Sequence, residues 1–433
     1  MASTAAHTSD PASNLWTHTA EPAPETPPLQ GDVAADVVIV GAGFTGLSTA
    51  LHLAEAGGRA IVLEAAGPGF GASGRNNGQV IPAYVRHNPK DIVATFGEER
   101  GARLNEWVSD SADLVFRLIA KHGIQCEAAQ NGWLQPAHRA SRMAAVRAKQ
   151  SQWAALGKPA RLLTGEETEA LTGSPYYRHG GWIHESGGHI QPLGYARGLA
   201  RAAIAAGATV HGGSAVTAIE RTEGKWRART SRGAVTADAV VLATNGYTDT
   251  LWPRLRQSIV PLRTFHAATA PMSENVAASV LPENHGLSDT RQALWAFRKD
   301  TGGRLITTAA PMATWGAVGK IRATTKARLA EAFPQTGDLE IANIWEGMIA
   351  MTPERLPRLH DLAGGVYAGM GYSGRGIALA TAMGAALAER AAGAPAGASP
   401  LPPAPVRTLP MHDIVSPLSR AMIGYYRWKD GRD

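Results

Sequence analysis

Gly41-Ala42-Gly43-Phe44-Thr45-Gly46 has the spacing G-x-G-x-x-G, and each glycine meets one requirement for holding a pyrophosphate. Gly41 turns the chain tightly, Gly43 lets phosphate approach the backbone, and Gly46 lets a helix pack closely on a strand. Phe44 and Thr45 then stand where a helix begins, with free amides and a positive dipole end facing the anion. Glu64, 18 residues after Gly46, is placed for its carboxylate to accept from adenosine ribose hydroxyls. Ala65-Ala66 brings no basic residue after it, which disfavours a 2′-phosphate. FAD and NAD both fit this pattern, so the fingerprint alone leaves the dinucleotide open.

A second glycine-rich run, from Gly67 through Ser73, Gly74, Arg75 and Asn76 to Gly78, follows directly on Glu64 and has too few side chains to build a core. A third, Gly369-Met370-Gly371-Tyr372-Ser373-Gly374-Arg375-Gly376, comes late in the chain. With these runs, Asp36 to Glu64, Gly187 to Pro192, Ala243 to Gly246 and Arg298 to Arg304, the sequence resembles the D-amino-acid-oxidase or glycine-oxidase family of FAD-dependent oxidoreductases. Within that family it resembles the γ-glutamylputrescine-oxidase-like branch, over nearly the whole chain.

The resemblance implies an α/β fold, a Rossmann-type FAD-binding domain with an inserted α+β substrate domain. It also implies that Ser73, Gly74, Arg75 and Asn76 neighbour the diphosphate and isoalloxazine, and that Val216 presents its backbone to adenine, with bland packing as the alternative for Val216. Ala243 and Thr244 would close over the cofactor. Gly371, Tyr372, Ser373, Gly374, Gly376 and Ile377 would form the flavin-pyrimidine loop. Neither loop offers the His or Cys that makes a covalent link in some relatives, so FAD is expected to be non-covalent.

The late loop joins a strand to a helix, and a helix N-terminus stabilises the negative charge that hydride arrival at flavin N5 leaves at N1 and the C2 carbonyl. Arg375 could add to that stabilisation or serve only as a surface or capping cation. Arg298 resembles the family arginine that holds a substrate carboxylate, a task suited to a planar bidentate donor; the competing reading is an arginine at a hairpin edge. His189 and His266 are pocket candidates, although a lone histidine is more often structural, and Arg304 reads as structural. His184-Glu185-Ser186-Gly187-Gly188-His189 separates its histidines by five and carries two glycines, so it is not a helical zinc motif and no metal is expected. The two G-x-S-G-R runs end in Arg where a nucleophile elbow needs Gly.

The elements that must position these residues are also readable. Val37-Val38-Ile39-Val40 is the unbroken β-branched run of a strand buried on both faces. Leu47, Ala50, Leu51 and Ala54 form one helical stripe ending at Gly57-Gly58, and Ala60-Ile61-Val62-Leu63 is the next strand, a right-handed βαβ start. Helices are predicted over 97–123, 139–156, 195–206 and 377–390, with strands near Trp133, Trp182, Thr209, Ala239–Leu242 and Gly365–Ala368. Residues 1–32 read as an extended arm, with order from about Ala35. Residues 33–85, 193–260 and 340–392 read as the FAD-binding domain, 86–192 and 261–339 as the substrate domain, and 393–433 as a Pro-rich tail.

The 433 residues are long enough for one large or two interlocked domains. Lys and Arg exceed Asp and Glu by 42 − 36 = 6 without a basic run, too diffuse a surplus for a nucleic-acid groove. One cysteine, Cys126, forms no internal disulfide and fits a reducing, cytoplasmic setting. With no basic start followed by an apolar core and no stretch of about 18 apolar residues, neither secretion nor a membrane span is expected. The expected activity is oxidation of a C–N bond in a small amine or amino acid, with oxygen or another acceptor reoxidising the flavin. An RNA-modifying flavoenzyme acting on a tRNA aminomethyl group and an NAD-dependent dehydrogenase are the alternatives.

Overall fold

The computed structural model describes residues 13–293, 295–310, 316–418 and 421–432. Two eight-stranded sheets organise them. The first is centred on Gly31–Val40, whose apolar end is buried on both faces, as its continuous β-branched run requires. Gly233–Leu242 and Ala60–Leu63 pair with it in parallel, so that Val40 lies opposite both Leu242 and Leu63. Thr209–His211 and Val366–Met370 extend the sheet in parallel on either side, and Arg358–Ala363 closes one edge antiparallel. Strands distant in sequence therefore end at one edge, where an open α/β sheet forms its ligand crevice.

The helix Phe44–Glu55 packs against both Pro192–Ala205 and Gly376–Ala391. A Cβ on Gly384 would lie 2.5 Å from that of Ser48, so the first and last helices of the nucleotide fold touch nearly backbone to backbone. The Ser48 hydroxyl fixes the contact by donating to the Thr381 carbonyl at 2.7 Å. An early and a late segment of the chain are thereby joined directly under the crevice.

The second sheet runs, in spatial order, Ile341–Met351, Val260–Thr269, Leu305–Ala309, Ala296–Lys299, Gly286–Ser288, Trp133–Pro136, Gly181–His184 and Ala160–Leu163. It is antiparallel except where Gly286–Leu287 runs alongside Trp133–Leu134. With its helices it forms the α+β part, around a core that includes Tyr177, Phe265, Phe297 and Phe333.

Several boundaries differ from those read in the sequence. The first strand starts at Gly31, because its exposed half pairs in register with Gly233–Ala237, where Asp32 Oδ1 also accepts from the Ala234 amide at 3.0 Å. Leu15–Thr19 is a helix, capped by the Asn14 side chain accepting from the Trp16 amide, with Leu15 and Trp16 buried; five residues are too few to show a period. Ile341–Met351 belongs to the second sheet, paired along Val260–Thr269, and not to the first. The C-terminal segment forms helices His412–Leu418 and Ala421–Asp430, and the Asp430 carboxylate accepts from the amides of Gln292 and Ala293. Among the described residues no helix is long and apolar enough to cross a membrane, and no cluster of His, Cys, Asp and Glu is placed to hold a metal ion.

Candidate active site

A cavity of about 530 Å³ opens between the two sheets. It is lined by Glu64 and Val216 at the edge of the first sheet, by residues 70–73 and 75–79, by residues 372–377, and by Thr264, His266, Ser288, Ala296 and Thr308 from the second sheet. Gly41 has φ +105°, and a Cβ there would press on the Ala243 carbonyl at 3.1 Å. A Cβ on Gly46 would fall 1.9 Å from the Gly41 carbonyl oxygen, and one on Gly43 would fall 2.9 Å from Ser73 Oγ. This is a cradle only glycines permit, and its shape suits a pyrophosphate lying on backbone.

Glu64 is held by two amides, with Ala42 donating to Oε2 at 2.7 Å and Ala66 to Oε1 at 2.9 Å. Burial pushes its carboxyl pKa up, opposed by these backbone bonds. A carboxylate has about four acceptor positions, so two remain for ribose hydroxyls.

Side-chain bonds tie the early and late loops together. Thr45 Oγ1 and Tyr372 Oη lie 2.6 Å apart. Ser73 Oγ accepts from the Phe44 amide at 2.9 Å, and Asn245 Oδ1 accepts from the Gly371 amide at 2.9 Å. Asn76 spends its side chain within its own loop, donating to Ala72 and Ser73 carbonyls and accepting from the Gly78 amide. Arg75 donates to the Phe70 carbonyl at 2.7 Å while stacking over the Phe70 ring. A flat group entering between these loops meets a preformed cleft.

Comparison with known proteins decides which dinucleotide fits. Residues 36–390 match the family described as DAO, FAD dependent oxidoreductase. The chain belongs to this family. It is 32% identical over 363 residues to gamma-glutamylputrescine oxidoreductase of Escherichia coli (strain K12), covering 83% of this chain and 84% of that protein. It is equally 32% identical over 373 residues to the probable oxidoreductase OrdL of Rhizobium meliloti (strain 1021), covering 86% of each. In fold it is similar to glycine oxidase from Geobacillus kaustophilus, with a TM-score of 0.68 at 20% identity over 83% of this chain and 95% of that one. The protein is thus an FAD-dependent oxidoreductase of oxidase or dehydrogenase type.

Of the residues singled out in the sequence, Gly41, Gly43, Phe44, Thr45, Glu64, Ser73, Arg75, Asn76, Val216, Ala243, Thr244, Tyr372, Ser373, Gly374, Arg375, Gly376 and Ile377 line this oxidoreductase's cavity, as does His266. Gly46, Gly74 and Gly371 lie behind the lining: Gly74 accepts from Asn14 Nδ2 at 3.0 Å, and Gly371 has φ +82° at the start of its turn. Arg298 is a correction. Its guanidinium is fully buried behind Gly78, donates to the Ile190 carbonyl and lies 3.9 Å from Glu127. Burial draws its pKa down to about 10 against the pull of Glu127. Ala296, two residues earlier on the strand, is the one that reaches the lining.

His189 also lies outside the cavity. It pairs with Gln79 in a two-strand ladder, and its Nε2 is 2.7 Å from the Asn284 carbonyl oxygen. Burial, reinforced by the charge of Arg298, pulls its pKa down to about 3, so the ring is a neutral structural group. Thr264, Ser288 and Thr308 line the cavity but carry no local sequence signal. Gln79 anchors Ser288, accepting from its Oγ at 2.8 Å and from Trp133 Nε1 at 3.1 Å.

Proposed function

We propose that this enzyme oxidises the C–N bond of a primary or secondary amine or amino acid, foremost a γ-glutamylputrescine-like amine, to an imine that water hydrolyses. The observation that carries the reading is one continuous cavity running from the glycine cradle to a wall of neutral hydroxyls and an imidazole on the second sheet. The activity for which the Escherichia coli relative is named supports the choice of amine. FAD, when bound, supplies the acceptor for hydride leaving the carbon beside nitrogen.

The chain's own residues do the rest. With FAD bound, Glu64 would accept from ribose, the Gly43 backbone would lie under the pyrophosphate, and the amides opening Gly376–Ala391 would stabilise negative charge on the flavin. His266 is kept neutral by burial, its pKa drawn down to about 3, and Nδ1 lies 3.2 Å from Thr308 Oγ1. The ring, stacked on Trp345 at 5.6 Å, presents a neutral hydrogen-bonding edge to an amine. A neutral amine has its lone pair available in such a setting, so no side chain must act as base. Loops 71–77 and 371–376 hold no His or Cys, and FAD is held non-covalently.

The test is a stopped-flow screen of amines and amino acids against the oxygen-free yellow holoenzyme, following loss of flavin absorbance. Bleaching by an amine, with the matching aldehyde or keto product, is expected, and acid precipitation should release all the flavin. A flavin that dithionite reduces but no amine or amino acid does would refute the reading. Admitting oxygen afterwards and measuring peroxide identifies the acceptor.

A further inference from the structure

Two cross-strand pairs of the second sheet build the cavity wall. Ser288 lies opposite Ala296, and His266 opposite Thr308, and all four residues line the cavity. The Ser288 and Ala296 pair ends its hairpin, so the connection from Asp289 to Trp295 starts directly from two lining residues. Ala310 follows the Phe265 and Ala309 pair, one step beyond Thr308 and its partner. Where these two connections stand decides where the wall stands.

One helix grips both. None of the described residues of Ala421–Asp430 lines the cavity. Yet the Asp430 carboxylate accepts from the Gln292 amide at 3.0 Å and from the Ala293 amide at 2.8 Å, at the tip of the hairpin. One turn earlier, Arg427 Nη2 donates to the Ala310 carbonyl at 3.0 Å. Tyr426 fastens the helix to other segments: its Oη accepts from Arg86 Nη2 at 2.6 Å and also from Arg355, whose backbone is left-handed at φ +61°.

The composition of the helix fits this task and not core building. Ten residues are too few to persist as a helix alone in water, and Met422, Tyr425 and Trp428 are exposed. Asp430 stands at the C-terminal end, where the helix dipole repels a carboxylate, and it is nevertheless buried. Its two amide donors offset that repulsion. Within the hairpin the labour is divided, since Asp289 and Arg291 fix the other half: the Arg291 amide donates to Asp289 Oδ1 at 2.9 Å, and the guanidinium stacks on Trp295.

We propose that Ala421–Asp430 is a strap that positions the second-sheet wall of the cavity from outside, with Asp430 and Arg427 as its positioning residues. This rests on the reading that the second-sheet wall meets the substrate. The glycine loops shape the flavin side, and the strap shapes the substrate side.

The test compares wild-type holoenzyme with Asp430→Ala, Asp430→Asn and Arg427→Met. By hydrogen exchange and mass spectrometry, peptides carrying Ser288 and Ala296 should exchange at least roughly fivefold faster in Asp430→Ala, and the peptide carrying Thr308 likewise in Arg427→Met. For an amine found in the bleaching screen, KM should rise at least roughly fivefold in Asp430→Ala with kcat within about twofold, because contacts to the wall serve bound substrate and transition state alike. Asp430→Asn keeps one acceptor oxygen and should recover part of both changes. Flavin content and visible spectrum should match wild type in every variant. An unchanged KM, or faster exchange confined to residues 290–293, would make the helix a local clasp and overturn the proposal. Flavin loss accompanying the change in KM would make it a general support, and overturns it equally. If no amine bleaches the flavin, the reaction reading fails, and exchange at Ser288, Ala296 and Thr308 still decides this one.

Discussion

Glu64 does two jobs with one carboxylate, and a substitution should expose both. Glu64→Ala strips the Ala42 and Ala66 amides of their acceptor, at about 1–3 kcal/mol of apoprotein stability, and removes the ribose acceptor as well. Flavin-to-protein ratio after gel filtration should drop together with the apoprotein melting temperature. Glu64→Gln keeps one acceptor oxygen and should recover part of each; full flavin content in the Ala variant would remove Glu64 from the ribose. Glu64 was legible because glycine spacing, strand and acid are all local in sequence. Arg298 was misleading for the opposite reason. Residue type and motif do not reveal that Gly78 closes over it. Thr264, Ser288 and Thr308 are hydroxyls on separate strands, gathered only by the pairing of the second sheet, so no window of sequence contains the wall they form.

Regular elements with an internal period were the readable ones. The helix expected over 97–123 is Glu98–His122, ended by Gly123 in the left-handed region at φ +59°, and that expected over 377–390 is Gly376–Ala391. Elements without a period were not readable, and the short helix Leu15–Thr19 matters most among them. Its flank and body hold the glycine-rich loop 67–78 from behind: Asn14 donates to the Gly74 carbonyl and Trp16 Nε1 to the Asn76 carbonyl at 2.9 Å. Gln191 fastens the helix by donating to the Trp16 carbonyl at 3.1 Å. Beside it Trp345 Nε1 donates to the Arg75 carbonyl at 2.9 Å, and the two indoles meet edge to face at 5.7 Å. Three consecutive loop carbonyls are thus fixed by side chains from remote segments. Trp16→Ala should weaken FAD retention at least tenfold, through a faster flavin off-rate, because the loop loses both a hydrogen bond and about 3–5 kcal/mol of packing. Rapid dilution followed by flavin fluorescence reads that rate, and an off-rate equal to wild type would show that the loop needs no brace.

Across the whole molecule, acid should act on the second sheet and on the two-strand ladder beside it, because neutral histidines are built into both. His184 lies between Trp153 and Trp182, His189 opposite Gln79 in the two-strand ladder and His266 on the cavity wall. Burial draws their pKa values down to about 4, 3 and 3. Unfolded, each binds a proton near pH 6.5; folded, each refuses it until far lower. The stability they contribute is therefore complete above about pH 6.5 and is lost as pH falls towards 4, at about 1.4 kcal/mol per pH unit for each group fully engaged. Asp289 works against this trend. Burial lifts its carboxyl to about 6 despite Arg291, so between about pH 6 and 4 the folded state holds a proton the unfolded chain has released, and falling pH favours folding there. Glu64 is raised as well and has the same sign. Three histidines against two carboxyls leave a net loss, and the melting temperature of the holoenzyme should be lower at pH 5 than at pH 7. His184→Phe, which keeps an aromatic ring between the two indoles and cannot take a proton, should narrow that difference. A melting temperature flat from pH 7 to 5, or an unaltered difference in the variant, would mean that the buried rings accept protons in place and that the core is more open to water than its packing shows.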